Sequence, residues 1–350
     1  MSYQKLSLNI WAYHFNYTSL LIGEGVQSVS FHSVKGQLKM VGREVDFFRI
    51  VKKLREISHV EILSVGPNAN AKFPKKDVIF SGCQIRKEDP VVLPTDLSRL
   101  RIFECHNMKS LSNISLFFQQ TNELRSCSIH DCREIESLLD LSSSSSPSTA
   151  LQNLELLWLK RLDNLRMLVK VGEASDVSIS KSLPLPGIFS HLKSFCIEKC
   201  SNMKQLFPFE LVHDLQNLKK LVVVNCGQME EIIPSIKEQE NHKGKGTYSP
   251  TMFTLPKLSY LVLENLPELK SICSSNGVMT CDDLEYISVL KCPNLKRMPL
   301  NLPLSQDSDQ SSSCPLEKIY IDSMEWWESV EWDYPTAKEI LHPRLKLAKL

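Results

Sequence analysis

One apolar pattern recurs eight times between residues 97 and 330, and it constrains the fold of this 350-residue chain more than any other feature. The first copy reads L-x-x-L-x-I-x-x-C-x-x-M-x-x-L and starts at Leu97. Self-similarity at an interval of about 20–50 residues is typical of proteins built from stacked structural repeats. The eight copies start at residues 97, 124, 154, 192, 218, 258, 284 and 316, which lie 26 to 40 residues apart.

The alternation within L-x-x-L-x-L predicts a short β-strand in each copy. Successive side chains of a strand point to opposite faces, so the fourth and sixth positions face inward together. One such strand cannot bury its apolar face alone, and stacking of neighbouring copies gives a parallel sheet with a continuous core. The shortest interval of 26 residues fits the leucine-rich repeat class of about 20–29 residues. We therefore predict an α/β solenoid, a curved leucine-rich repeat horseshoe with a parallel concave sheet and an irregular or short-helical convex side.

The repeats divide the chain into three predicted regions. Residues 97–330 hold about eight repeats, and residues 331–350 form a C-terminal cap or tail. The segment Met324–Tyr334 holds three of the five tryptophans, and bulky atypical residues commonly close the open end of a repeat core. We interpret residues 1–96 as a divergent region with degenerate repeats and a short amphipathic helix over Arg49–Ile57. Polar stretches at 142–148, 170–186 and 238–250 are expected to be mobile surface loops.

Five of the eleven cysteines occupy the ninth position of the template, and we interpret them as core residues. A small, readily buried side chain suits an inward position at the turn that leaves the strand. Leu162, Leu266 and Met324 fill that position in the other three repeats. Cys196 and Cys200 have a spacing usable for zinc, but strand alternation places them on opposite faces, so we predict no metal site. The five template cysteines are Cys105, Cys132, Cys200, Cys226 and Cys292.

Charge and missing motifs argue against several functional classes. The 41 basic and 40 acidic residues leave a formal charge of +1, whereas nucleic-acid binding usually leaves a basic footprint. The apolar stretch from Leu6 to Ile22 is interrupted by polar residues, so it resembles neither a signal peptide nor a membrane span. The phosphate-loop, dinucleotide, metalloprotease and serine-hydrolase motifs are absent from the sequence. We therefore predict no enzymatic activity, no cofactor, no nucleic-acid or membrane partner, and a location in the cytoplasm or the nucleus.

The outward strand positions from the fifth repeat onward form a predicted aromatic-rich patch on the concave face. Repeat solenoids use their concave surfaces for binding, and aromatic residues are enriched where proteins meet. The alternative is that strands favour valine and tyrosine for their own stability, or that an insertion loop covers the face. The candidate protein-binding residues, two of them from earlier repeats, are Phe103, Trp158, Val222, Val224, Tyr260, Val262, Tyr286, Leu290 and Tyr320.

Several segments resemble the repeat region of plant nucleotide-binding leucine-rich-repeat disease resistance proteins. They are the run Cys200–Ile233 paired with LPKLSYLVLENLPELKSIC at Leu255–Cys273, then CPNLKRMPLNLP at Cys292–Pro303, and EWWESVEW at Glu325–Trp332. The segment Phe80–Leu100 is similar to the start of that region in coiled-coil-type receptors. The resemblance covers roughly residues 50–340. It implies a solenoid that holds an upstream nucleotide switch off and recognises pathogen effectors or the host proteins they modify.

The resemblance has a limit that affects the expected chemistry. The family's switch domain, with its phosphate-binding loop, and its coiled coil have no counterpart in this sequence, so nucleotide binding is not carried over. We expect a repeat domain alone, from a truncated gene or as a fragment. Its expected partner is a protein: a pathogen effector, a guarded host protein, or a nucleotide-binding switch domain.

A second hypothesis is the substrate-binding arm of an F-box-type ubiquitin ligase, whose repeats also place a cysteine in the turn. Those repeats typically continue past the cysteine with an I-T-D-x-G type signature. Here the corresponding runs begin at Ser201, Pro267 and Pro293 and read S-N-M-K, P-E-L-K and P-N-L-K. The receptor hypothesis is therefore favoured over the ligase hypothesis.

Overall fold

A computed structural model of the chain describes fourteen stretches of residues. The expected helix over 49–57 and the three expected loops fall outside these stretches, apart from residues 50 and 170. The described residues are 3–10, 26–32, 37–43, 50, 60–67, 76–82, 97–113, 123–141, 151–170, 187–234, 251–273, 277–303, 315–334 and 336–348.

Two compact units make up the chain. Unit 1 comprises Met1–Asp163 with Lys170–Glu173, and unit 2 comprises Asn164–Val169 with Ala174–Leu350. Strand β10 (Met167–Lys170) lies at the point in the sequence where the two units divide.

Unit 1 contains one long mixed sheet. Its strands are β1 (Tyr3–Ile10), β2 (Val26–His32), β3 (Gln37–Arg43), β4 (Val60–Pro67), β5 (Lys76–Ser81), β6 (Leu97–Phe103), β7 (Ser126–His130) and β9 (Leu156–Lys160), with β8 (Ser137–Asp140) outside it. The sheet order is β9-β7-β6-β5-β2-β3-β1-β4. Strands β2, β5, β6, β7 and β9 pair in parallel, whereas β3 pairs antiparallel with β2 and β1, and β4 pairs antiparallel with β1.

The region before residue 97 thus mixes two kinds of pairing. Val26 and Val29, in the first degenerate copy, lie on β2, which pairs in parallel with β5 as repeat strands do. Val60 and Ile62, in the second degenerate copy, lie on β4, which pairs antiparallel with β1.

Unit 2 contains a second parallel array. Its main strands are β11 (Ser194–Glu198), β12 (Lys220–Val224), β15 (Tyr260–Glu264), β18 (Tyr286–Leu290), β21 (Lys318–Ile321) and β23 (Leu345–Leu347), hydrogen-bonded in that order. The return segments are mostly short strands: β13 (Glu231–Ile233), β14 (Thr251–Thr254), β16 (Ser271–Cys273), β17 (Gly277–Thr280), β19 (Arg297–Met298), β20 (Leu300–Asn301) and β22 (Glu331–Trp332). The described helices of unit 2 are α1 (Phe209–Val212), α2 (Met324–Ser329) and α3 (Ala337–Leu341), with 3₁₀ turns at Leu215–Asn217 and His342–Arg344. A further 3₁₀ turn, Leu111–Asn113, lies in unit 1.

Within each unit, successive repeats pair with equivalent template positions opposite each other. In unit 2, Leu221 lies opposite Leu261, and Leu261 lies opposite Ile287. In unit 1, Leu100 lies opposite Cys127. One parallel strand per repeat confirms the predicted leucine-rich repeat solenoid.

The inward template positions form the core. Every one of them except Met324 is at most 3% exposed, in all eight repeats. Our expectation that Met324 faces inward is wrong, since this side chain is 36% exposed. The reason is local, because the Ser323 hydroxyl accepts a hydrogen bond from the Trp326 backbone N–H at 3.1 Å and so caps α2. The chain enters a helix here, and Trp327, the next inward template position, remains buried.

A left-handed residue ends the repeat strand in seven repeats. It stands directly before the cysteine position, and its φ lies between 51° and 58° in every case. Its backbone N–H reaches the next repeat; Asn225 donates to the Glu264 carbonyl at 2.9 Å, and Asn265 donates to the Leu290 carbonyl at 2.8 Å. The turn is therefore the same in these seven repeats, although the side chains differ. The seven residues are Glu104, Asp131, Arg161, Lys199, Asn225, Asn265 and Lys291.

Replacing Asn265 tests the importance of this conformation. A β-branched side chain is strained at positive φ, so we expect Asn265→Val to lower the free energy of unfolding by about 1–2 kcal/mol. Asn265→Gly is the matched control, because glycine accepts this backbone without strain. This control loses the hydrogen bond from Asn265 Nδ2 to Asn225 Oδ1. Because that bond is exposed to solvent, its loss should change the free energy of unfolding by no more than about 0.5 kcal/mol. Urea unfolding measures both, and equal stability of the two variants would contradict the shared turn.

Candidate protein-binding face

The outward positions of the unit 2 strands meet in rows across the sheet. Strand register sets Lys220, Tyr260, Tyr286 and Lys318 in one row. The next row holds Val222, Val262, Ser288 and Tyr320, and the third holds Val224, Glu264 and Leu290. Seven of the nine predicted binding residues therefore share one face, which we call the tyrosine face. Its predicted members are Val222, Val224, Tyr260, Val262, Tyr286, Leu290 and Tyr320.

Three tyrosine rings stack across this face. The Tyr260 and Tyr286 rings are parallel to within 4°, with centroids 4.0 Å apart. Tyr320 leans on Tyr286 at 5.4 Å, and the Lys220 ammonium lies 5.0 Å from the Tyr260 centroid. Stacked rings and a cation above a ring face are both stabilising arrangements. The tyrosines are thus held in place before any partner arrives, which reduces the entropy lost on binding.

The hydroxyl of Tyr286 stays protonated at neutral pH. Burial, together with a hydrogen bond to Tyr260, raises the pKa of Tyr286 to about 12. A neutral phenol can both donate and accept hydrogen bonds, so the face presents polar contacts on an aromatic surface.

Side-chain exposure distinguishes the residues that a partner could contact from those that lie beneath the tyrosine face. Val222, Val224 and Leu290 are half-buried, and so are the tyrosines, whereas Val262 is only 7% exposed. Ser288 is buried beside Val262, and its hydroxyl donates to Glu264 Oε1 at 2.9 Å. Val262 therefore supports the face from below and offers little area of its own.

Several basic and acidic residues of the tyrosine face lie at opposite ends of their strands. Lys220 and Lys318 stand where their strands begin, while Glu198 and Glu264 end theirs and Asp322 follows β21 directly. A partner that spans the strands would meet basic groups at one edge and acidic groups at the other. Such a pattern fixes the orientation of a bound protein more than its affinity.

The remaining two predicted residues lie in unit 1. Phe103 contacts the His130 ring edge-on at 5.1 Å, and His130 contacts Trp158 at 4.5 Å. Trp158 is 41% exposed. His130 has the same outward template position as Phe103, but it was not among the predicted binding residues.

The template cysteines have no features of a reactive site. The five are buried, and the thiols of Cys226 and Cys292 donate weakly to the carbonyls of Val224 and Leu290. Burial raises the pKa of Cys226 to about 11 and that of Cys292 to about 12. A thiol is nucleophilic and binds metals as the thiolate, so burial keeps these groups inert.

The described stretches contain neither a cluster of metal-ligating side chains nor a membrane-spanning helix. No group of three or more His, Cys, Asp or Glu side chains there is arranged to hold a metal ion. No helix in the same part of the chain has the length and apolar character needed to cross a bilayer.

Known proteins share this repeat pattern. Residues 173–305 match the family described as plant disease resistance protein RPS2-like, leucine-rich repeats. Disease resistance protein At4g27190 of Arabidopsis thaliana is 26% identical over 237 residues, which cover 68% of this chain and 20% of that protein. Disease resistance protein RPS5 of the same plant is 29% identical over 191 residues, covering 52% of this chain and 20% of that protein. The chain thus spans about a fifth of the length of these relatives.

A solved structure shows a more distant likeness. An internalin (inlF) from Listeria monocytogenes covers 74% of this chain and 86% of that chain at 12% identity, with a TM-score of 0.22. That score is too low to support a fold, which rests here on the strand register. The sequence matches agree with the one parallel strand per repeat seen in the structure. The repeats of this chain are leucine-rich repeats, and those over residues 173–305 are similar to the repeats of plant disease resistance proteins.

Proposed function

We propose that this chain is the protein-recognition and autoinhibitory leucine-rich repeat module of a plant intracellular immune receptor, acting in the cytoplasm or nucleus. Its role is binding, with no catalytic step. The observation that carries the proposal is the tyrosine face, where stacked Tyr260 and Tyr286 lie beside Lys220 on a rigid sheet. Partly exposed tyrosines on a fixed scaffold are typical of protein contact sites.

The partner under this proposal is a pathogen effector, a guarded host protein, or a nucleotide-binding switch domain. Contact with a switch domain would give autoinhibition, and contact with an effector or guarded protein would give recognition. Both uses need the same chemistry, a protein surface that packs against tyrosine rings. The ligase alternative has no support from the matched relatives, which are disease resistance proteins.

Removing the two stacked tyrosines should weaken partner binding without unfolding the chain. We expect Tyr260→Ala/Tyr286→Ala to weaken a partner by at least about tenfold, because central tyrosines often dominate the binding energy. The measurement compares proteins retained from plant extract by wild type and by the variant, with affinities then determined for those retained.

Met252→Ala is the control for this comparison. Met252 is 52% exposed and lies on β14, outside the main sheet, so its loss should leave capture unchanged. Thermal unfolding by circular dichroism checks that all three proteins fold. Equal retention of the same proteins by all three chains would contradict the proposed function.

A further inference from the structure

A second face, on unit 1, differs in chemistry from the tyrosine face. Strand register sets the outward positions of β6, β7 and β9 in three rows of three. The rows are Arg99, Ser126 and Leu156; Arg101, Ser128 and Trp158; and Phe103, His130 and Lys160.

Positive charge dominates these positions. Arg99, Arg101 and Lys160 are basic, His130 can become so, and none of the nine is Asp or Glu. The neighbouring strand β5 adds Asp77 in register with Arg99, which still leaves a formal charge of +2 with histidine neutral.

The outward positions of the unit 2 sheet are balanced in charge. They carry the bases Lys220, Lys318 and Lys346 against the acids Glu198, Glu264 and Asp322, a formal charge of 0. The charge on unit 1 is therefore a property of that face, since the whole chain carries only +1.

Exposed apolar area lies among these cations. Leu156 is 49% exposed and Trp158 is 41% exposed, and both lie on β9. The Lys160 ammonium is 5.9 Å from the Trp158 centroid, and His130 packs against the same ring. Exposed tryptophan beside arginine is the composition of residues that dominate protein interfaces.

Two acidic groups at the rim of this face, Asp131 and Glu155, are held in ion pairs. Arg161 forms two hydrogen bonds with the Asp131 carboxylate, and that contact lowers the pKa of Asp131. Arg125 Nη1 pairs with Glu155 Oε1 at 2.8 Å. These rim carboxylates are engaged by their own arginines, so they offset the charge of the face less than unpaired acids would.

We propose that this basic aromatic face (Arg99, Arg101, His130, Leu156, Trp158 and Lys160) binds an acidic segment of a partner protein. An apolar side chain of that segment packs on Leu156 and Trp158, and its carboxylates meet the arginines and Lys160. We infer an acidic partner because its negative charge complements the positive charge of this face. A nucleic acid fits less well, because the cations alternate with apolar side chains and paired acids border them.

Selection from a random 12-residue peptide library displayed on phage tests the proposal with the full chain as target. Binders of wild type should be enriched in Asp and Glu together with an aromatic or aliphatic residue. Their affinity, measured with synthetic peptides, should fall at least about tenfold for Arg99→Glu/Arg101→Glu and fall with added salt. Lys160→Glu and Trp158→Ala are single changes that keep the test valid if the double variant is unstable.

Lys220→Glu/Lys318→Glu is the matched control, since it makes the same charge change on the tyrosine face. Acidic peptides should bind this control as tightly as wild type. Binders without acidic enrichment, the absence of any selected binder, or acidic binders unaffected by all three unit 1 variants would overturn the proposal. Tighter binding of a 12-residue oligouridylate at the same residues would overturn it in favour of nucleic acid. The tyrosine-face variants test the proposed function separately, so either proposal can fail alone.

Discussion

Leu221→Asp is expected to lower the free energy of unfolding of unit 2 by about 4 kcal/mol. Leu221 is 1% exposed and lies opposite Phe195 on one side and Leu261 on the other. The new carboxyl would have no partner among these apolar groups, so its charged form is strongly disfavoured. Because typical domains are stable by only about 5–15 kcal/mol, urea or thermal unfolding should show an early transition.

The adjacent residue supplies the control for this prediction. Val222→Asp places the same side chain one position along β12, on the half-exposed face. We expect that variant to lose no more than about 1 kcal/mol, because solvent reaches the carboxylate. Ile287→Asp, at the equivalent inward position of β18, should repeat the large loss. Equal stabilities for Leu221→Asp and Val222→Asp would contradict the inward and outward assignment of every repeat.

Trp327→Ala should cost about 3–5 kcal/mol, the usual range for truncating a large buried aromatic side chain. Trp327 is 1% exposed and contacts the Trp332 ring edge-on at 5.6 Å. It fills the core of the eighth repeat where the template turn is replaced by α2. Loss of the indole leaves a cavity that the neighbouring repeat fills only in part, so the measured midpoint of urea unfolding should fall markedly.

Trp326→Phe serves as the comparison, because it changes a neighbouring tryptophan with a different role. The Trp326 indole Nε1 donates to the Leu295 carbonyl at 3.0 Å, and the side chain is partly exposed. Losing that hydrogen bond while keeping an aromatic ring should cost about 1 kcal/mol. A loss for Trp326→Phe as large as that for Trp327→Ala would show that Trp327 is not the residue that closes the core.

The repeat strands could be predicted from the sequence because the apolar residues that become buried recur with a fixed spacing. Leu261 and Ile287 occupy the same template position and are both fully buried on paired strands. The same reasoning placed Tyr260 and Tyr286 side by side, since equal template positions become neighbours in parallel register. Their stacking geometry depends on side-chain torsions and was not available from spacing alone.

Three features could not be predicted from the template. The left-handed residue before the cysteine position varies from Glu104 to Asn225 to Lys291, so no residue type marks the turn. Ser323 caps a helix that begins at Met324, so the chain does not make the usual repeat turn there. The Met324 side chain, which the template predicts to be buried, is therefore exposed. Antiparallel pairing of β4 with β1 depends on contacts between strands far apart in the sequence, which the weak pattern before residue 97 does not encode.

The most direct test of the central claim, that the tyrosine face binds a partner protein, is photo-crosslinking from the face itself. Benzoylphenylalanine is introduced in place of Tyr320, which lies on the face, or in place of Met252, which lies outside the main sheet. After irradiation in plant extract, our account predicts a defined protein adduct from the first chain and none of the same mass from the second. The adduct should also disappear when Tyr260→Ala/Tyr286→Ala is added. An identical adduct from both positions, or one that survives the double change, would contradict binding at this face.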